Sequence, residues 1–154
     1  MCRSLEVTDD IGRFTNRLEK VEQAAEFAVK SNKAATLAWL ARGTRGTKVY
    51  FGYSDETAKI VYVGITRQAL PARQVQHFDK GKTFTIRELS NLPDNLTTNQ
   101  ARAIEQWYID RKKMEKLGGV LENFYNSIRP EREIAVGAEQ FADAFVKNFG
   151  LPQP

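Results

Sequence analysis

The sequence predicts an α+β fold, and three features of it do so. Two short runs, "TKVYFGY" and "KIVYVGIT", are β-branched and aromatic and are separated by the five residues "SDETA", a hairpin-loop length, so they read as antiparallel strands. A third run of the same character, "TFTIREL", follows. The segment "TTNQARAIEQWYIDRKKMEKLGG" carries the marks of a long helix: Thr97 and Gln100 fit a capping box at its start, and Gly118-Gly119 fits a stop at its end.

Taken in order, the chain begins with an arm at residues 1–46. From Ile11 to about Ala41, Leu18, Val21, Ala25 and Ala28 recur at helical spacing, and "KSNK" divides the run into two helices. "RGTRG" ends the arm, since two glycines and no apolar residue leave nothing to pack. A core follows at 47–128, holding the three strands and two helices. Its first helix is "LPARQVQHF", with Pro71 suited to the first turn. Residues 129–154 supply a last helix from about Gly137 to Asn148, with Phe141, Phe145 and Phe149 as its apolar stripe.

Composition narrows the function. With 42% hydrophobic residues in 154, the chain can build a modest core. One cysteine, Cys2, excludes an internal disulfide framework and a cysteine zinc site, and fits a reducing compartment. No apolar run of about 18 residues and no secretory leader is expected, which points to the cytoplasm rather than a membrane. The net charge of +4 suits a polyanionic partner. Five cations (Arg67, Arg73, Lys80, Lys82, Arg87) face one acid, Asp79, between residues 67 and 87, and "RKKMEK" adds four more.

A regular hairpin closed by the five-residue loop pairs Tyr53 with Lys59 and sets Tyr50 across from Tyr62, both rings on one face. Gly64 lies on that face and leaves room for close approach to the backbone. Arg73 and His77, four residues apart on the next helix, point the same way. Tyrosine hydroxyls and a histidine can relay protons, and arginine grips a phosphate with a planar fork. Glu105, mid-helix in an otherwise apolar stretch, is the best metal-ligand candidate. Each residue also has a plain reading: packing tyrosines, a surface arginine, a structural histidine, a Glu105 paired to Arg102.

"KVY" (Lys48 to Tyr50), "YVG" (Tyr62 to Gly64), Arg73, His77 and a later helical Glu105 together resemble the GIY-YIG nuclease domain over roughly residues 47–128. The resemblance implies a small three-stranded antiparallel sheet flanked by helices, and cleavage of DNA or RNA supported by Mg²⁺ or Mn²⁺ on Glu105. It implies Tyr50, Tyr62, Arg73, His77 and Glu105 as the catalytic set, and Gly64, Arg67 and Asn123 as substrate contacts, with Asn126 the rival of Asn123. The chain departs from the pattern at Lys48-Val49, where the family has Gly-Ile, and the interval from Tyr62 to Arg73 is one residue longer than the commonest. "IEQWYIDR" and "GGVLENFYNSIRP" are similar to the endings of GIY-YIG domains that form C-terminal toxin segments of bacterial polymorphic and contact-dependent systems. That similarity implies an immunity protein as partner and action in the cytoplasm of a target bacterium. Three other readings stay open: a housekeeping or phage nuclease, a non-cutting nucleic-acid-binding module on the same fold, and a helical adaptor that works through its arm.

Overall fold

The computed structural model describes residues 33–130 and 132–154. The expected first helix of the arm, with Leu18, Val21, Ala25 and Ala28, lies outside them. Within them the order is α1 (Lys33–Leu40), β1 (Lys48–Ser54), β2 (Ile60–Thr66), α2 (Leu70–Asp79), β3 (Phe84–Glu88), α3 (Thr98–Lys112), a short 3₁₀ turn (Glu115–Leu117) and α4 (Ala135–Asn148). The architecture is the expected α+β, with a three-stranded antiparallel sheet in the order β2-β1-β3. Because β1 is central, its residues alternate between two buried faces. Val49 and Phe51 join Val63 in the main core with Ile104, Trp107 and Tyr108 of α3, while Tyr50 joins Phe84 and Ile86 in a smaller cluster on the opposite face.

The hairpin differs from the expected register. Tyr53 pairs with Ile60 rather than Lys59, and a bulge between Gly52 and Tyr53 leaves Tyr50 paired with Gly64 and Gly52 with Tyr62. Ala58 takes a positive φ of 56° to close the loop. An extra residue on one strand displaces every pair beyond it. Here the displacement from the expected pairing is an even number of residues, so both tyrosines keep the same face.

Each edge of the sheet is closed by a side-chain amide. On β2, Asn123 Oδ1 accepts from the Val63 N–H at 3.0 Å while its Nδ2 donates to the Val63 carbonyl at 2.8 Å. On β3, Gln74 of α2 does the same work, accepting from the Ile86 N–H at 2.7 Å and donating to the Phe84 carbonyl at 2.8 Å. Both amides replace the ladder partner that an edge strand lacks.

Helix α3 is central and carries the expected cap. The Thr97 hydroxyl accepts from the Gln100 N–H, and the Gln100 side chain accepts from the Thr97 N–H. Its end falls earlier than expected. Lys113 turns left-handed at φ 59°, and the chain then makes an isolated bridge between Met114 and Leu121, with the glycines inside that turn rather than at the helix stop. Where the backbone leaves the helical path, Met114 and Leu121 are buried against Ile109.

The two flanking helices share the main core. Trp39 and Leu40 of α1 are buried in it, and the carbonyls of Trp39 and Leu40 are capped by Asn99 and Thr97. Helix α4 buries Ala138, Ala142 and Val146 rather than the expected phenylalanine stripe. Phe141 and Phe145 are only partly buried and Phe149 is exposed, stacked on Phe145 at 4.3 Å. Small residues permit close approach: a Cβ at Gly137 would come within 2.5 Å of the Thr36 hydroxyl of α1.

Candidate active site

The cluster on the α2 face of the sheet is built from a repeated Tyr-x-Gly. In Tyr50-Phe51-Gly52 and Tyr62-Val63-Gly64 the tyrosine and glycine share a face, and the antiparallel register places each tyrosine across from the other strand's glycine. The glycines are required. A Cβ on Gly64 would lie 2.5 Å from both Cζ and the hydroxyl of Tyr50, and one on Gly52 would lie 2.8 Å from the Tyr62 Cβ and 2.7 Å from the Phe84 ring. The room expected over Gly64 for a ligand is therefore filled by the chain's own Tyr50, whose ring leans across β2 toward α2.

There it meets both expected partners. Tyr50 Oη is 2.9 Å from His77 Nε2 and accepts from Arg73 Nε at 3.0 Å. The spacing of four puts Arg73 and His77 on one face of α2, and Pro71 starts that helix within its first turn. Arg73 is further set by Gln76, which accepts from its Nη1 at 2.8 Å and is itself tied to Gln68 at 2.9 Å. Phe84 completes the packing: Tyr62 stacks on it at 4.9 Å, and the His77 ring lies 4.9 Å from it and 5.1 Å from Tyr62.

Protonation follows from this geometry. Burial first, then the positive Arg73, Lys80 and Lys82, lower His77 to about 4, so its imidazole is neutral near pH 7. The guanidinium N–H donates to Tyr50 Oη, and a second hydrogen bond joins Tyr50 Oη to His77 Nε2; in the Nδ1–H tautomer of the imidazole the phenol is the donor. Burial raises the pKa of both Tyr50 and Tyr62, against the opposing pull of Arg73, and holds them as phenols. Tyr50 is fully buried, whereas Tyr62 keeps part of its surface exposed.

Glu105 is buried on α3, and the Ser127 hydroxyl donates to its Oε2. Among the described residues no lysine or arginine forms a salt bridge with it. Burial lifts it to about 7, only partly offset by Ser127, Arg102 and Arg73. It is close enough to Tyr50 and Tyr62 to disfavour their ionisation. Among the described residues no three His, Cys, Asp or Glu side chains gather around one point, so a metal here would rest on this one carboxylate.

Arg67 and Arg73 line one groove of about 360 Å³ with Thr47, Thr66, Gln68 and Gln76. Arg67 is placed there by its Nη1 donating to Thr44 at 2.8 Å. Asn123 is not available to a substrate: it is buried, with both ends of its amide engaged by Val63. Its rival Asn126 accepts from Gln106 at 3.1 Å. Gln74, Gln76 and Ser127, which the sequence reading passed over, hold β3, Arg73 and Glu105 in place. Polar side chains with long-range partners leave no periodic signal. Gly52 did leave one, in the duplicated Tyr-x-Gly.

No protein-family model, curated protein or solved structure matches this chain. No helix among the described residues is long and apolar enough to cross a membrane.

Proposed function

We propose that the chain is a metal-dependent nuclease of the GIY-YIG kind, hydrolysing phosphodiester bonds of DNA or RNA, and that it serves as an antagonistic toxin domain restrained by an immunity protein. The observation that carries the reading is the Tyr50 hydroxyl held between Arg73 and His77 at 3.0 and 2.9 Å. It joins a permanent cation to an uncharged imidazole, so fixed positive charge and a proton acceptor stand within one hydrogen-bonded unit.

Hydrolysis uses both. A water oxygen bonds to phosphorus, its proton passes through tyrosine hydroxyl to His77 Nε2, and the bond from phosphorus to the leaving oxygen breaks. Tyr62 has the exposed surface with which to touch that water, and Tyr50 forms the link to His77. Arg73, open to the groove it shares with Arg67, holds the phosphate and the charge that develops on it.

Glu105 fits a hard divalent cation. A buried carboxylate without a salt-bridge partner among the described residues, with one oxygen engaged by Ser127 and its pKa raised to about 7, gains from a cation in place of the proton. Glu105 would hold Mg²⁺ or Mn²⁺, which would supply Lewis-acid stabilisation to the phosphate and the leaving oxygen.

The test is to incubate the purified chain with plasmid, total RNA and tRNA, with magnesium, manganese or chelator. Metal-dependent cleavage of one of them is expected. Folded protein that cuts none with either metal overturns the reading. Expression in bacteria with and without the open reading frame that follows it tests the toxin role. Loss of viability rescued by the neighbour is expected, and unimpaired growth beside active nuclease in vitro overturns that part alone.

A further inference from the structure

Residues 122–127 form a strap across the site. At one end the Glu122 N–H donates to the Val61 carbonyl and Asn123 holds both backbone groups of Val63, so the strap is fixed on either side of Tyr62. At the other end Ser127 donates to Glu105. Between these anchors the strap carries Phe124 and Tyr125, which are 66% and 78% exposed, although Asn123 just before them and Ile128 three residues beyond are buried. No large apolar side chain among the described residues is more exposed than Tyr125.

Two adjacent aromatics projected into solvent forgo the burial that drives folding, and side chains so placed mark a binding surface. Their surroundings say what kind. The rings lie 5.1 Å apart at 70°, and the Lys116 ammonium sits 4.7 Å from the Phe124 ring and 5.8 Å from that of Tyr125 while donating to the Phe124 carbonyl. Lys113, also exposed, belongs to the same basic segment. An aromatic face beside a fixed cation is complementary to a base and its phosphate, and only an unpaired base has a face to offer.

The structure assigns to Phe124 and Tyr125 a stacking platform for unpaired nucleotides next to the scissile phosphate, making the substrate of this site a single-stranded or looped nucleic acid rather than a duplex. The assignment rests on the nuclease reading of the Tyr50 cluster for its location. Stacking requires no particular base, so the platform confers strand-state selectivity without sequence selectivity.

The test is binding, measured in chelator so that no cutting occurs. Fluorescence anisotropy of the full chain would be followed with a labelled single strand of about a dozen nucleotides, an abasic strand of equal length and charge, and the matching duplex. The wild-type chain should bind the single strand about 5- to 150-fold more tightly than the abasic strand, the range for one stacked base. F124A/Y125A and F124L/Y125L should both abolish that difference and leave duplex affinity within about two-fold, while F124W/Y125W keeps it.

Equal binding of normal and abasic strands by the wild-type chain overturns the assignment without any variant. So does retention of the difference by the leucine pair, which would make the surface merely apolar. Unchanged nucleic-acid affinity in F124A/Y125A, with loss of binding to the protein encoded next to it, would identify a protein interface and overturn it too. Cleavage is scored separately with magnesium: stacking without cleavage removes the nuclease reading, and cleavage indifferent to these two residues removes the platform.

Discussion

Glu105→Gln is expected to make the metal-free protein more stable and less active in the same step. Below about pH 4.5 the carboxyl is protonated in the folded and unfolded chains alike, and it adds nothing to the pH dependence. Between 4.5 and about 7 the unfolded chain releases its proton while the folded chain keeps it, so stability falls as pH rises; above about 7 both are ionised and the loss is complete. A displacement of that size corresponds to about 3 kcal/mol. Glutamine keeps the shape and still accepts from Ser127, but never ionises. Urea denaturation in chelator should therefore show the variant about 3 kcal/mol more stable than the wild type at about pH 8, about 6–12 °C in Tm, and no such gain at about pH 4. Cleavage in magnesium should be abolished, with nucleic-acid binding retained or tightened by loss of a negative charge near phosphate. A variant no more stable than the wild type at about pH 8 refutes the burial argument, and one that cuts at a comparable rate refutes the metal role.

Arg73→Lys keeps the charge but loses the Nε–H to Tyr50, so cleavage should fall about ten- to a thousand-fold while Arg67→Ala does far less; equal losses would reduce both to a diffuse basic surface. Gly64→Ala drives a methyl into Tyr50 at 2.5 Å, with an expected destabilisation of about 1–3 kcal/mol and loss of cleavage greater than the stability change explains, checked by denaturation and kinetics together. Asn123→Ala strips both backbone groups of buried Val63 of their partners and should cost about 2–5 kcal/mol, read as a shift in urea midpoint. Asn123→Asp, which cannot donate to the Val63 carbonyl, should also destabilise, whereas a freely substrate-facing residue would change activity and leave the midpoint alone.

The parts of this fold that were legible in the sequence are those set by local chemistry. The strands follow from β-branched and aromatic runs, and the start of α3 from the Thr97–Gln100 box, because each signal lies within a few residues of the structure it specifies. Tyr50, Arg73 and His77 could be brought together on paper since strand and helix periods alone decide which way they face. What failed depended on distant partners. The bulge at Gly52 and Tyr53 re-pairs the hairpin, Met114 and Leu121 pull the chain out of α3 before its glycines, and α4 buries alanines because α1 and α3 pack close against it. The family resemblance alone makes Asn123 a substrate contact, and an asparagine in a loop carries no mark of the backbone that will claim it.

The two amides that close the sheet have a bearing on inhibition. Many proteins are captured by β-augmentation, in which a foreign strand extends an open edge. Here Asn123 already satisfies Val63 on one margin and Gln74 satisfies Phe84 and Ile86 on the other. A fourth strand pairing with Val63, or with Phe84 and Ile86, would have to evict a carboxamide that makes two hydrogen bonds. On the toxin proposal, an antidote seated as a cover over the Arg67–Arg73 groove would avoid that competition, and an acidic surface is the one that matches.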